Sequence, residues 1–192
     1  MAILIVEPPI EEPITLDEAK LHCRVDVDDD DTLITGLISA ARAYAEAIEW
    51  RAYLTQTIEL HLDAWPSGNQ IELPRPPLQS VTSIVYTGED GTEHTVDADT
   101  YVVDTAREPG RIALKSGESW PSETLQVVDG IVITYLAGWE FADDVSAMRK
   151  QALLLLVGHW YENRETATLG AVSHEIDFAV KALLGIDHAR TF

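Results

Sequence analysis

The hydrophobic rhythm of the chain changes twice. From Asp31 to Trp50, apolar residues recur every three to four positions, with Leu33, Leu37, Ala41, Tyr44 and Ile48 on one stripe. That period predicts a helix with this stripe as its buried face. A shorter helix precedes it in "TLDEAKLHCRV", where Thr15 and Glu18 stand at capping-box spacing. From residue 55 the period drops to two. "TQTIELHLDAW" alternates apolar and polar residues, "QIELPRPPL" joins a short strand to prolines that forbid helix, and "QSVTSIVYTGEDGTEHTV" reads as a hairpin turning at "GEDG". "TYVVD", "GRIAL" and "LQVVDGIVITYLAG" complete a block of six or seven short strands. Helical period returns at "DDVSAMRKQALLLLVGHWYENRE", with Asp143 or Asp144 as the expected cap and an end near Arg164. "EIDFAVKALLGI" predicts a short last helix.

The fold class expected is therefore α+β: a helical core of about four helices with an inserted small antiparallel β-rich block. The divisions expected are 1–54 for the N-terminal helical part, 55–137 for the β insertion, and 138–192 for the C-terminal helical part with its tail.

The string "RVDVDDDDT", residues 24–32, places five carboxylates in nine positions. A calcium loop starting at Asp26 has ligands at Asp26, Asp28 and Asp30, but Asp31 stands where a glycine must turn the chain and Leu37 where a bidentate Glu is needed. The calcium signature fails there. Asp side chains suit the free N–H groups and positive dipole at a helix start, so the run is expected to cap the long helix.

Composition then removes whole classes of function. Thirty-three acidic residues against 13 basic ones give a net charge of −20 over 192 residues. Phosphate backbones are gripped by Lys and Arg, so specific nucleic-acid binding is not expected. The longest apolar run, "ALLLLV", is far short of the roughly 18 residues a membrane span needs. "MAILIVEPPIEEP" lacks the charge and cleavage pattern of a signal peptide. A lone Cys23 excludes an internal disulfide and any cysteine-cluster metal site.

No catalytic constellation emerges. His159 and Glu162 lie three apart on the third helix, but the second His of a zincin pattern is missing, and His159 between Gly158 and Trp160 reads as a packed core histidine. "TGEDGT" sits inside a hairpin with no Lys, and no G-x-S-x-G elbow occurs. Arg107 and Arg111 flank a turn. No catalytic, cofactor-binding or metal site is expected.

In order and spacing, "ITLDEAKLHCRVDVDDDDTLITGLISAARAYAE", "LPRPPLQSVTSIVY", "Y.VD…PGRI.L", "ITYLAGW" and "ALLLLVGHWYENRE" resemble the head–tail connector (adaptor) proteins of long-tailed bacteriophages and gene transfer agents. The resemblance spans residues 14 to about 165. It implies a non-enzymatic wedge of a ring, usually twelvefold, docked under the portal protein in the virion neck after packaging. Such a ring extends the DNA channel without binding DNA specifically and receives the next neck or tail (stopper) protein. The helical core would form the ring wall, with the β insertion decorating it. Within that picture Leu153, Leu156, Trp160 and Tyr161 are expected at subunit contacts, and Asp28, Asp29, Asp30 and Asp31 along the channel. Asp187, His188, Arg190 and Phe192 are expected at the portal or tail. The near alternative is a tail-completion or stopper protein, typically shorter and richer in strand. The alternatives of other classes are a small acidic hydrolase using a metal on His159 and Glu162, and a monomeric binding module presenting its β block.

Overall fold

Four α-helices and eight strands, every strand pair antiparallel, make up the described residues, 1–163 and 174–186, of this computed structural model. The mixed α+β class read from the sequence stands. Two units separate: Met1–Pro9 with Thr55–Trp139, and Ile10–Leu54 with the chain from Glu140 onward.

The first unit holds β1 (Ala2–Glu7), β2 (Gln56–Leu62), β3 (Gln70–Glu72), β4 (Leu78–Thr87), β5 (Glu93–Thr95), β6 (Tyr101–Asp104), β7 (Arg111–Leu114) and β8 (Ile131–Ala137). They form a five-stranded sheet in the order β1-β2-β8-β4-β5 and a three-stranded sheet in the order β3-β7-β6. Alternation sets the faces. Ile58 and Leu60 of β2 and Ile131, Ile133 and Tyr135 of β8 are fully buried, while the residues between them are half-exposed. Strand β1 is a finding rather than an expectation, because the sequence reading placed residues 1–9 with the helical part. Its "AILIVE" pairs along β2 from Ala2↔His61 to Glu7↔Thr57. A single edge strand with both faces apolar carries no period-2 signal.

The "LPRPPL", "PGRI" and "ITYLAG" strings meet at one corner of this unit. The Tyr135 hydroxyl donates to the Pro74 carbonyl at 2.9 Å, Gly138 N–H to the Pro77 carbonyl at 2.8 Å, and Leu73 N–H to the Gly110 carbonyl at 2.8 Å. The Gln79 amide donates to the Gly138 carbonyl and to Thr55 Oγ1, both at 2.7 Å. Gly110 is required by close approach: a Cβ there would lie 2.5 Å from Leu78 Cβ. Prolines withhold N–H donors and leave carbonyls for side chains and strand ends to satisfy, which is why this irregular segment is so specific in sequence.

The second unit contains α1 (Leu16–Cys23), α2 (Asp31–Glu49), α3 (Ala147–Glu162) and α4 (His174–Ile186), with α3 packing on the other three. Helix α1 starts with the expected capping box, Glu18 N–H to Thr15 Oγ1 at 3.1 Å and Thr15 N–H to Glu18 Oε2 at 2.7 Å. The cap of α3 is Ser146, whose hydroxyl accepts from Arg149 N–H, not Asp143 or Asp144, which form a 3-10 turn just before it. The buried stripe of α2 is Ile34, Ile38, Ala41 and Ala45; Leu33 and Ile48 are exposed, and Leu37 and Tyr44 are half-buried. The helix is rotated from its expected orientation by one position, about 100°.

Charge explains the rotation. Arg42, Glu46 and Glu49 of α2 are all buried. Arg42 Nε donates to Glu12 Oε2 at 2.7 Å and Nη1 to Glu46 Oε2 at 3.0 Å. The other Glu46 oxygen accepts Tyr53 N–H at 2.7 Å. Glu49 accepts two bonds from Arg149 of α3, at 2.8 and 2.9 Å, and one from the Tyr53 hydroxyl. Burial alone would lower the Arg42 pKa, but its two carboxylate partners raise it. Burial and the bond to Glu49 hold the Tyr53 hydroxyl far above its ordinary range, as a neutral donor.

Two outcomes are expected in chemical denaturation. Arg149→Met strands Glu49 in the core and should cost about 3–5 kcal/mol, with much of the loss recovered in Glu49→Leu/Arg149→Met. Gly110→Ala forces a methyl into Leu78 and should cost about 1–3 kcal/mol. A loss under about 0.5 kcal/mol in either single variant, the usual range for a bland surface change, contradicts the packing described.

Candidate functional site

The acidic start of α2 is a small electrostatic assembly. Lys20 Nζ of α1 lies 2.7 Å from both Asp28 Oδ1 and Asp31 Oδ1. These bonds raise Lys20 well above its ordinary pKa, and the bond to Lys20 lowers that of Asp28. Asp30 occupies the cap position, yet its carboxylate makes no bond to the first turn of α2. It accepts the Tyr161 hydroxyl of α3 instead, at 2.6 Å. The expected side-chain capping is thus replaced by a tie between helices. Asp28 and Asp29 are exposed, and Asp30 and Asp31 half-buried. Much of the run's charge is already engaged within the protomer.

Leu153 and Leu156 are fully buried in the helical unit, and Trp160 is 8% exposed, edge-on to Tyr44 at 6.0 Å. These three side chains build the protomer's own core. Tyr161, half-buried, is committed to Asp30. Asp187, His188, Arg190 and Phe192 lie outside the described residues.

His159 does not sit in the core. With His22, Cys23, Leu155, Gly158 and Glu162 it lines a shallow cleft of about 200 Å³. Gly158 makes room there, since a Cβ would stand 3.2 Å from the His22 ring. His159 Nδ1 lies 3.3 Å from Asn163 Nδ2. Burial and then the Glu162 charge push the Cys23 thiol upward, away from the thiolate a nucleophile needs. Among the described residues no group of three His, Cys, Asp or Glu is placed to hold a metal. His159 and Glu162 therefore have no third ligand among the described residues.

Sequence reasoning missed the buried Glu12–Arg42–Glu46 and Glu49–Arg149 groups. The available signal was three charged residues interrupting an otherwise uncharged stretch of α2.

Residues 13–105 match the family profile of the phage gp6-like head–tail connector protein. Over the whole chain the fold is similar to a protein in the neck of an empty gene transfer agent (GTA) particle computed with C6 symmetry, at 25% identity, covering 97% of this chain and 94% of that one, with a TM-score of 0.77. A chain of the native GTA virion matches at 23% identity with the same coverages and a TM-score of 0.78. One from the neck of the native particle computed with C12 symmetry matches at 24% identity, also with the same coverages, and a TM-score of 0.77. Comparison with curated protein sequences finds no match. The profile covers the acidic run, α1, α2 and the "LPRPPL" segment, and the fold likeness covers 97% of the chain. Residues 13–105 thus carry the profile of the phage head–tail connector family, and the fold around them is similar to that of proteins in the neck of gene transfer agent particles.

Proposed function

We propose that this chain is one wedge of a closed ring in the neck of a tailed virion or gene transfer agent particle. The ring sits under the portal, continues the DNA channel and presents its far side to the next neck protein. The carrying observation is the end-to-end likeness to GTA neck proteins in particles reconstructed with C6 and C12 symmetry. Twelve copies suit both symmetries. Physical chemistry agrees with a conduit role: a chain of net charge −20 repels phosphate, so DNA can slide past it without being held. The exposed carboxylates of Asp28 and Asp29 are the part of the acidic run best placed to act on DNA at a distance. The tail at Asp187, His188, Arg190 and Phe192 is the proposed portal or tail contact, a cation and an aromatic being common at interface centres.

Removing the polypeptide tests the role. Particles lacking it should accumulate as filled or leaking capsids and free tails; joined particles that retain their genome would overturn the proposal. A second measurement tests the acidic run. Replacing Asp28, Asp29, Asp30 and Asp31 together by Asn should raise the DNA affinity of the assembled ring by a factor of a few in an electrophoretic shift at low salt. An unchanged shift removes the run from the channel and leaves the connector role standing.

A further inference from the structure

Helix α2 is built inside out. Its charged residues beyond Asp31, namely Arg42, Glu46 and Glu49, are buried, and none of the residues it leaves exposed or half-buried between Thr32 and Trp50 is charged. A helix facing water ordinarily does the reverse. In a chain where 24% of residues are charged, this surface requires an explanation.

The exposed residues are also ordered. Leu33, Gly36, Ala40, Ala43 and Ala47 follow one another at intervals of three, four, three and four, and all are exposed. That spacing generates a continuous seam along one side of a helix, the pattern by which one helix packs against another. It is distinct from the inner stripe of Ile34, Ile38, Ala41 and Ala45 that the protomer already uses. The N-terminal end of the seam is large, with Leu33 39% exposed. The middle is small, with open space around Gly36.

We propose that this outer seam of α2 is the lateral contact between adjacent copies of this chain in the ring, an inference that rests on the ring reading above. Charge selects the occupant. Two copies that each carry −20 repel one another, and like charges brought face to face across an interface are costly, so copies can approach only where neither presents carboxylates. The outer face of α2 is such a surface from Leu33 to Ala47, most of the length of a 19-residue helix. In a ring the contact is head-to-tail, so the seam meets a different surface on the next copy. Its small middle residues allow close backbone approach and admit bulky side chains. The helical unit exposes a suitable one in Phe178 of α4, 76% exposed, with the exposed Lys181 three residues on. Leu153, Leu156 and Trp160, engaged in the protomer core, are left free of that task.

The test uses the full chain mixed with the portal ring of its own particle, with assembly followed by native mass spectrometry and negative-stain electron microscopy. Ala43→Glu places a carboxylate at the centre of the seam, at an exposed position that leaves folding intact, checked by an unchanged thermal melt. Ring yield should fall at least about tenfold in Ala43→Glu, because a charge must then be desolvated at the contact. Ala43→Ser, small and uncharged, should assemble as the wild type does. Wild-type rings together with undiminished Ala43→Glu rings overturn the seam and leave the ring reading intact. Absence of rings from the wild type overturns the ring reading and the seam with it.

Discussion

The bidentate pair between Glu49 and Arg149 joins residues 100 positions apart in sequence, one before the β insertion and one after it. Buried ion pairs add little net stability over apolar packing, but an unpaired buried charge costs several kcal/mol. The pair therefore acts as a constraint. Together with Arg42, Glu46, Glu12 and the two polar groups of Tyr53, it permits one rotation of α2 and penalises the others. From that rotation follow the core stripe on Ile34, Ile38, Ala41 and Ala45, the seat for Leu153 and Leu156 of α3, and the uncharged face turned to solvent.

The sequence was legible where one signal dominated. The Thr15 and Glu18 box, the hairpin around Gly88–Gly91 and the alternation in β2 and β8 each had a local cause, and each stands in the structure. It misled where two periodic stripes ran side by side on α2. Leu33, Leu37, Tyr44 and Ile48 are the larger apolar residues, so hydrophobicity chose them for the core. The decision lay with Arg42, Glu46 and Glu49, whose partners Glu12, Tyr53 and Arg149 no local window contains. Strand β1 was hidden for a similar reason: its pairing with β2 crosses about half a hundred residues, from Ile3 to Leu60 and Ile5 to Ile58. The Asp run looked like a helix cap, and only Tyr161 of α3 and Lys20 of α1 reveal it as a tie between helices.

Among the described residues the cleft beside His159 holds no group of three metal ligands, and burial pushes the Cys23 thiol pKa upward. The features that demand specific residues serve position instead: Gly110 under Leu78, Gly158 under His22, and the Pro74–Pro77 carbonyls tied to Tyr135 and Gly138. The proposed conduit, a part that holds its shape while a polyanion slides past, is compatible with this kind of sequence. In that proposed role, rigid corners and internally neutralised charges would hold the shape, and the excess negative charge would keep phosphate from sticking.

Electron cryomicroscopy of the intact neck, at a resolution that traces side chains, tests the account most directly. The account predicts a closed ring of identical subunits around the DNA axis, each with this fold. It is contradicted by density that places this polypeptide outside the capsid–tail junction, or that leaves it as an isolated copy with no like neighbour.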